Sequence, residues 1–248
     1  MWDVITSLPY SSFMKAVVWG AFIGLAAGTL LVVLLVKLGF WKRENRAYNL
    51  AVKLFYLYIP VILSVTGMTW QLNALAKGEV LGLLETFRPK INALAAEKAE
   101  AALETFGFQD AGHAASPSML MLSLKESLDS AADPILEPLP APVRAAVKPV
   151  WGTVTRFVAE NIEKELLTLL GAKFGLNDAE TGQFMVKSII LTLKGGILVD
   201  VVRVQVEKRF DGVNGIICQT AILLLLPVVL EAALYHFLRR KKRPSPNP

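Results

Sequence analysis

Residues 13 to 40, FMKAVVWGAFIGLAAGTLLVVLLVKLGF, form an apolar run whose lysines, Lys15 and Lys37, lie near its ends. As an α-helix this run reaches about 42 Å, enough to cross the roughly 30 Å hydrocarbon core of a bilayer. Residues 48 to 70, YNLAVKLFYLYIPVILSVTGMTW, make a second candidate span, flanked by the Tyr and Trp side chains that settle at headgroup level. Residues 215 to 238, GIICQTAILLLLPVVLEAALYHFL, make a third and run straight into RRKKR. Pro60 is expected to kink the second span, and Pro227 is tolerated in the third because neighbouring groups can satisfy the freed carbonyl. An apolar content of 54%, with 19% charged residues and a mean hydropathy of +0.47, argues for an integral membrane protein over a soluble one.

Orientation follows from the cations. The short loop after the first span carries Lys42, Arg43 and Arg46, and the tail carries Arg239, Arg240, Lys241, Lys242 and Arg243. Both sets belong on the cytoplasmic side, where they fix topology and attract anionic lipid. Three spans meet that condition with an extracytoplasmic N-terminus. The expected location is a bacterial inner (plasma) membrane. A rival fourth span, residues 184 to 206, is interrupted by Lys187, Lys194, Asp200 and Arg203. Counting it would put one basic cluster on the wrong side, so it is assigned to the outer domain.

The expected fold is therefore an all-α integral membrane protein with three transmembrane helices and a helical extracytoplasmic domain inserted between the second and third. Its parts are a short N-terminus (1–12), a transmembrane hairpin (13–75) with a cytoplasmic loop at about 41–47, the outer domain (76–212), the third span (213–238) and a basic tail (239–248). From Lys77 to Val213 there are 15 Lys and Arg against 18 Asp and Glu, while the other 11 cations face only Asp3, Glu44 and Glu231. The basic excess thus belongs to the membrane flanks, and nucleic acid is not an expected partner. The N-terminus has neither a basic n-region nor an early short apolar core, so no cleaved signal peptide is expected. Cys218 is the single cysteine, which excludes an intrachain disulfide.

In the outer domain, Leu72, Leu75, Leu84, Ile91, Leu94 and Leu103 keep helical spacing, so the second span is expected to continue as a helix, bent near Pro89. Ser116 and Pro117 resemble an N-cap and first-turn pair for a short helix through Leu128. The proline-punctuated stretch DPILEPLPAPVRAAVKP is a connector. Val154, Phe157, Val158, Ile162, Leu166 and Leu169 mark one face of a stronger amphipathic helix that Gly171 is placed to stop. A further helix should begin at Asn177 or Asp178. VRVQVE alternates as a strand does, but with no strand to pair with it is read as helix.

The first span sets Ala16, Gly20, Gly24 and Gly28 on one side. The second repeats Pro60, Ser64, Gly67, Gln71, Ala74 and Gly78 at steps of four and three. Small residues let helices approach closely in lipid, where association depends on van der Waals packing and interhelical hydrogen bonds. The stripes either pack the hairpin within one chain or join subunits around an axis.

Glu231, two turns inside the basic tail, is an acid in a membrane helix; Lys37 and Lys53 lie at comparable depth and are its first candidate partners. The alternative is that all three reach water or headgroups. His236 and Tyr235 read as interfacial anchors, and Glu97, Glu100 and Glu104 as a solvated helix face. No nucleophile motif, P-loop, dinucleotide fingerprint or spaced Cys/His cluster occurs. No catalytic residue, metal site or cofactor is therefore expected. The first functional expectation is a homo-oligomeric channel or conduit with the helical domain as its vestibule. The alternatives are a non-catalytic anchoring or gating subunit with a protein partner at the outer domain, and a lipid-handling protein using residues 184 to 206.

Overall fold

A computed structural model describes residues 9–38, 52–105, 117–171 and 178–241. The described residues are almost entirely helical and include no strand. In order, the helices are α1 (Tyr10–Lys37), α2 (Phe55–Thr105), α3 (Pro117–Ser130), α4 (Ala132–Leu136), α5 (Ala141–Val147), α6 (Trp151–Gly171), α7 (Asp178–Gly195) and α8 (Ile197–Lys241), with a 3₁₀ turn at Lys148–Val150 before α6. Among the described residues, α1, α2 and α8 are long and apolar enough to cross a membrane.

The described residues within 76–209 form one compact unit, and those within 9–75 and 210–241 form another. The helical unit is built on apolar side chains at helical spacing. Leu120, Leu124 and Leu128 of α3 and Val154, Val158, Ile162 and Leu166 of α6 are essentially inaccessible, whereas Phe157 is half-buried. Full burial of each of the larger of these side chains contributes about 1.5–3 kcal/mol. Two polar contacts fix how α3 meets α6: the Trp151 indole N–H donates to the Leu128 carbonyl (3.0 Å), and the Thr155 hydroxyl donates to the Asp129 carboxylate (2.6 Å). From α2 the same unit takes Val80, Leu84, Ile91, Ala95, Ala99 and Leu103. The connector holds two short helices, α4 and α5, because Pro134, Pro138, Pro140 and Pro142 remove backbone donors at intervals of a few residues. Ser116, Asn177 and the side chains of Glu104 and Leu169 lie outside the described residues.

Residues 184 to 206 are split between two helices. Gly196 separates them at φ 102°, a left-handed conformation that favours glycine. The part from 184 to Gly195 would reach only about 18 Å as a helix, too short to span hydrocarbon. Leu198, Val199, Val202, Val206 and Phe210 are buried at steps of one, three and four, as on one helix face. Val204 is the test of the alternation in VRVQVE: a strand would bury it with Val202 and Val206, and it is 46% exposed. α8 thus starts at Ile197, well before residue 213, where the third span was expected to begin.

In the membrane unit, Val32, Val52, Ile59 and Val228 form a buried cluster supported by Leu31, Leu35, Phe55, Tyr56, Tyr58, Leu63 and Leu225. α1, α2 and α8 therefore meet at the end that carries Lys37 and Lys53.

Candidate functional site in the membrane unit

α1 and α2 touch through backbone. A β-carbon built on Gly20 would fall 2.5 Å from the Gly67 carbonyl oxygen and 2.7 Å from Met68 Cα. On Gly24 it would overlap the Leu63 carbonyl and lie 2.7 Å from Ser64 Cα, and on Gly28 it would lie 2.5 Å from Pro60 Cα. Gly67 returns the contact, since a β-carbon there would overlap the Gly20 carbonyl oxygen. Real side chains do not tolerate such distances, so these positions exclude anything larger than hydrogen. Across the same seam, the Ser64 hydroxyl donates to the Ala21 carbonyl at 3.0 Å. Ala16 and Pro60 are buried; Ser64, Gly67 and Gln71 are half-buried. The stripe does not continue into packing at Ala74, which is exposed, or Gly78, where an added carbon would meet nothing within 4 Å. α1, which lines the stripe, begins only at Tyr10.

α8 joins this pair through polar contacts that hydropathy does not reveal. The Asn73 amide donates to the Phe210 carbonyl (2.9 Å) and to Asn214 Oδ1 (2.8 Å), with Asn73 only 3% exposed. Both amide hydrogens are thereby used, and Asn73 Oδ1 is buried without a partner. Further along, the Tyr58 hydroxyl donates to the Leu224 carbonyl at 2.8 Å, one residue from Leu223, whose helical donor Pro227 cannot supply. The sequence signal for this site was an amide at the edge of the second and third apolar runs, Asn73 and Asn214.

Glu231 is half-buried beside Val228 and Ala232, while Lys37 and Lys53 are exposed. Tyr235 and His236 stack edge-on, 5.6 Å between ring centroids. Arg239, Arg240 and Lys241 end α8; Lys42, Arg43, Arg46, Lys242 and Arg243 lie outside the described residues, as does His113. Away from the seam, α1 turns bulky apolar groups outward, including Trp19, Phe22, Ile23, Leu30 and Leu34, each more than half exposed. An open apolar groove of about 370 Å³ runs along this outward side past Ala26 and Thr29.

The helical unit has its own polar constellation. Arg88 pairs with Asp200 and lies 3.0 Å from Glu85, Glu85 meets Arg203 at 3.5 Å, and Arg203 meets Glu207 at 3.2 Å. These groups link α2 to the first turns of α8 and are partly solvated, so each pair contributes at most about 1 kcal/mol. Most of the apolar side chains of residues 184 to 206 face inward here, Met185, Val186, Ile189, Leu193, Leu198 and Val202 being buried, whereas Leu191 and Val204 are exposed. Among the described residues, no group of His, Cys, Asp or Glu side chains is placed to hold a metal ion.

The chain matches no family model, no curated protein and no solved structure.

Proposed function

We propose that the protein is a homo-oligomeric membrane channel or conduit, with the helical unit of residues 76–209 outside the cytoplasm as its vestibule. The observation that carries this reading is the closure between α1 and α2: backbone meets backbone at Gly20, Gly24, Gly28 and Gly67, which leaves no room for a file of water between those two helices. In this reading the conducting path avoids the α1–α2 seam and is taken to run between copies. Large parts of the span surfaces are free for that purpose, since only 22%, 17% and 11% of the residues in the most apolar windows of α1, α2 and α8 are buried within the chain.

The proposed orientation is supported by the cluster of Val32, Val52, Ile59 and Val228, which brings the end of α1, the start of α2 and the later turns of α8 to one end of the bundle. Both basic segments follow from that end, as cytoplasmic retention of their cations requires. A second reading, a non-catalytic anchoring subunit that presents the helical unit to a protein partner, is favoured by the same tight seam, because an anchor needs no lumen. Mass measurement in detergent, coupled to ion flux in liposomes, separates the two. Multimers that conduct are the expected result; a monomer without conductance removes the channel reading.

A further inference from the structure

We propose that Pro227 is a hinge in α8 and that the Tyr58 hydroxyl is the latch holding the segment beyond it, residues 228–241, against the α1–α2 hairpin. The proposal concerns movement within one chain and holds whether or not copies conduct.

The three helices of this unit are held together in two different ways. α1 and α2 meet backbone to backbone at Gly20, Gly24 and Gly28, where the obstructing atoms have no room to give. α1 contains no proline. α2 has Pro60 within that contact, but a β-carbon on Gly28 would lie 2.5 Å from the Pro60 Cα, so this break is pinned against α1. α8 has no such seam. Its glycines in this unit, Gly212 and Gly215, have nothing within 4 Å of an added carbon, and side chains tie it to the hairpin instead.

Those ties fall on either side of Pro227. Before it, Asn73 donates to the Phe210 carbonyl and to Asn214 Oδ1. Asn214 precedes the proline by about 20 Å of helix. After it, the buried side chains among the described residues are small, Val228 (5% exposed) and Ala232 (0%). Such apolar contacts hold a helix weakly in lipid, because acyl chains are as apolar as the side chains they replace.

The break itself lies between the two sets of ties. Pro227 has no N–H for the Leu223 carbonyl, and its ring crowds that carbonyl, so the helix is loosened there. The Tyr58 hydroxyl donates to the next carbonyl, that of Leu224, at 2.8 Å. A hydrogen bond from the fixed hairpin thus lands on the turn of α8 where the ladder is interrupted. On the outward side Leu223, Val229 and Leu230 are each more than half exposed, so no described part of the chain blocks a swing in that direction. α8 ends in Arg239, Arg240 and Lys241, and bending at Pro227 therefore decides where these cations meet the headgroups.

A change of about 20° at the proline carries Leu234, about 10 Å further along, through roughly 4 Å. The test measures this by pulsed dipolar spectroscopy on the full chain in phosphatidylcholine and phosphatidylglycerol vesicles, with excess unlabelled protein to suppress distances between copies. In a Cys218→Ala background, nitroxides at Leu34→Cys and Leu234→Cys report across the hinge. A second pair, Ile23→Cys and Ile222→Cys, reports on α8 before it. Tyr58→Phe should shift or broaden the 34–234 distances by about 4 Å and leave the 23–222 distances as they are. Adding Pro227→Ala, which restores the missing donor, should return the 34–234 distances to the narrow distribution of the parent. Unchanged 34–234 distances in Tyr58→Phe would overturn the proposal. So would equal broadening of both pairs, which marks general loosening, or broadening that persists in full once Pro227 is replaced.

Discussion

Gly24 faces the Leu63 carbonyl across the α1–α2 seam with no space for a β-carbon between them, and Ser64 Cα, next along the same backbone, would lie 2.7 Å from that carbon. The obstructing atoms are backbone, which cannot rotate away as a side-chain tip can. Gly24→Leu should therefore separate the two helices. Thermal unfolding in detergent is expected to shift down by many degrees, or the protein to be lost during purification. The control is Gly82→Ala, in α2 where an added methyl meets nothing within 4 Å; it should be neutral or stabilising by up to about 1 kcal/mol. Equal melting of Gly24→Leu and the parent would refute the seam.

Asn73 ties α2 to α8 through two donated hydrogen bonds at a position 3% exposed. A double-mutant cycle with Asn73→Ala and Asn214→Ala should return a coupling of about 0.6–1.7 kcal/mol, the range for hydrogen bonds between membrane helices. Additive effects would mean that the two amides act independently.

Leu124, on the α3 side that packs into the core of the helical unit, is fully buried. Leu124→Ala removes three carbons from a filled core and is expected to cost about 2–5 kcal/mol. Loss of ellipticity at lower denaturant concentration is the readout, and a change below about 1 kcal/mol would contradict the packing described.

At Gly196 two obstacles coincide. The backbone is at φ 102°, and a β-carbon would lie 3.1 Å from Asn92 Nδ2 and 3.3 Å from Arg88 Nη1. Gly196→Ala should destabilise by more than about 1 kcal/mol, since an L-residue is strained in that conformation before any crowding is counted. Gly195→Ala is the paired control, having nothing within 4 Å of the added carbon.

The proposed orientation makes its own prediction. With Cys218→Ala as background, Glu97→Cys and Glu160→Cys, both at exposed positions, should react with an impermeant maleimide added to intact cells. A cysteine placed at Pro246 should react only after permeabilisation. Labelling of all three from the same side would end the three-span topology.

The three helices long and apolar enough to cross a membrane were legible because hydrocarbon demands long uninterrupted apolar runs, and no tertiary contact is needed to write that requirement into a sequence. The spacing of Gly20, Gly24 and Gly28 was equally visible, because helical periodicity assigns residues to faces. Spacing cannot say which surface a face meets, and only the packed structure set those glycines against Leu63, Pro60 and Gly67 of the same chain. Asn73 and Asn214 lie 141 positions apart, so their meeting depends on how α2 and α8 cross. The same holds for the break at Gly196, where a local φ and the nearby Arg88 and Asn92 turned one apolar segment into the end of one helix and the start of another. Local chemistry fixed which segments become helices and which sides of them are apolar or small. The pairing of those sides was decided by long-range packing, because each apolar or glycine-lined face has several physically acceptable partners until the others are filled.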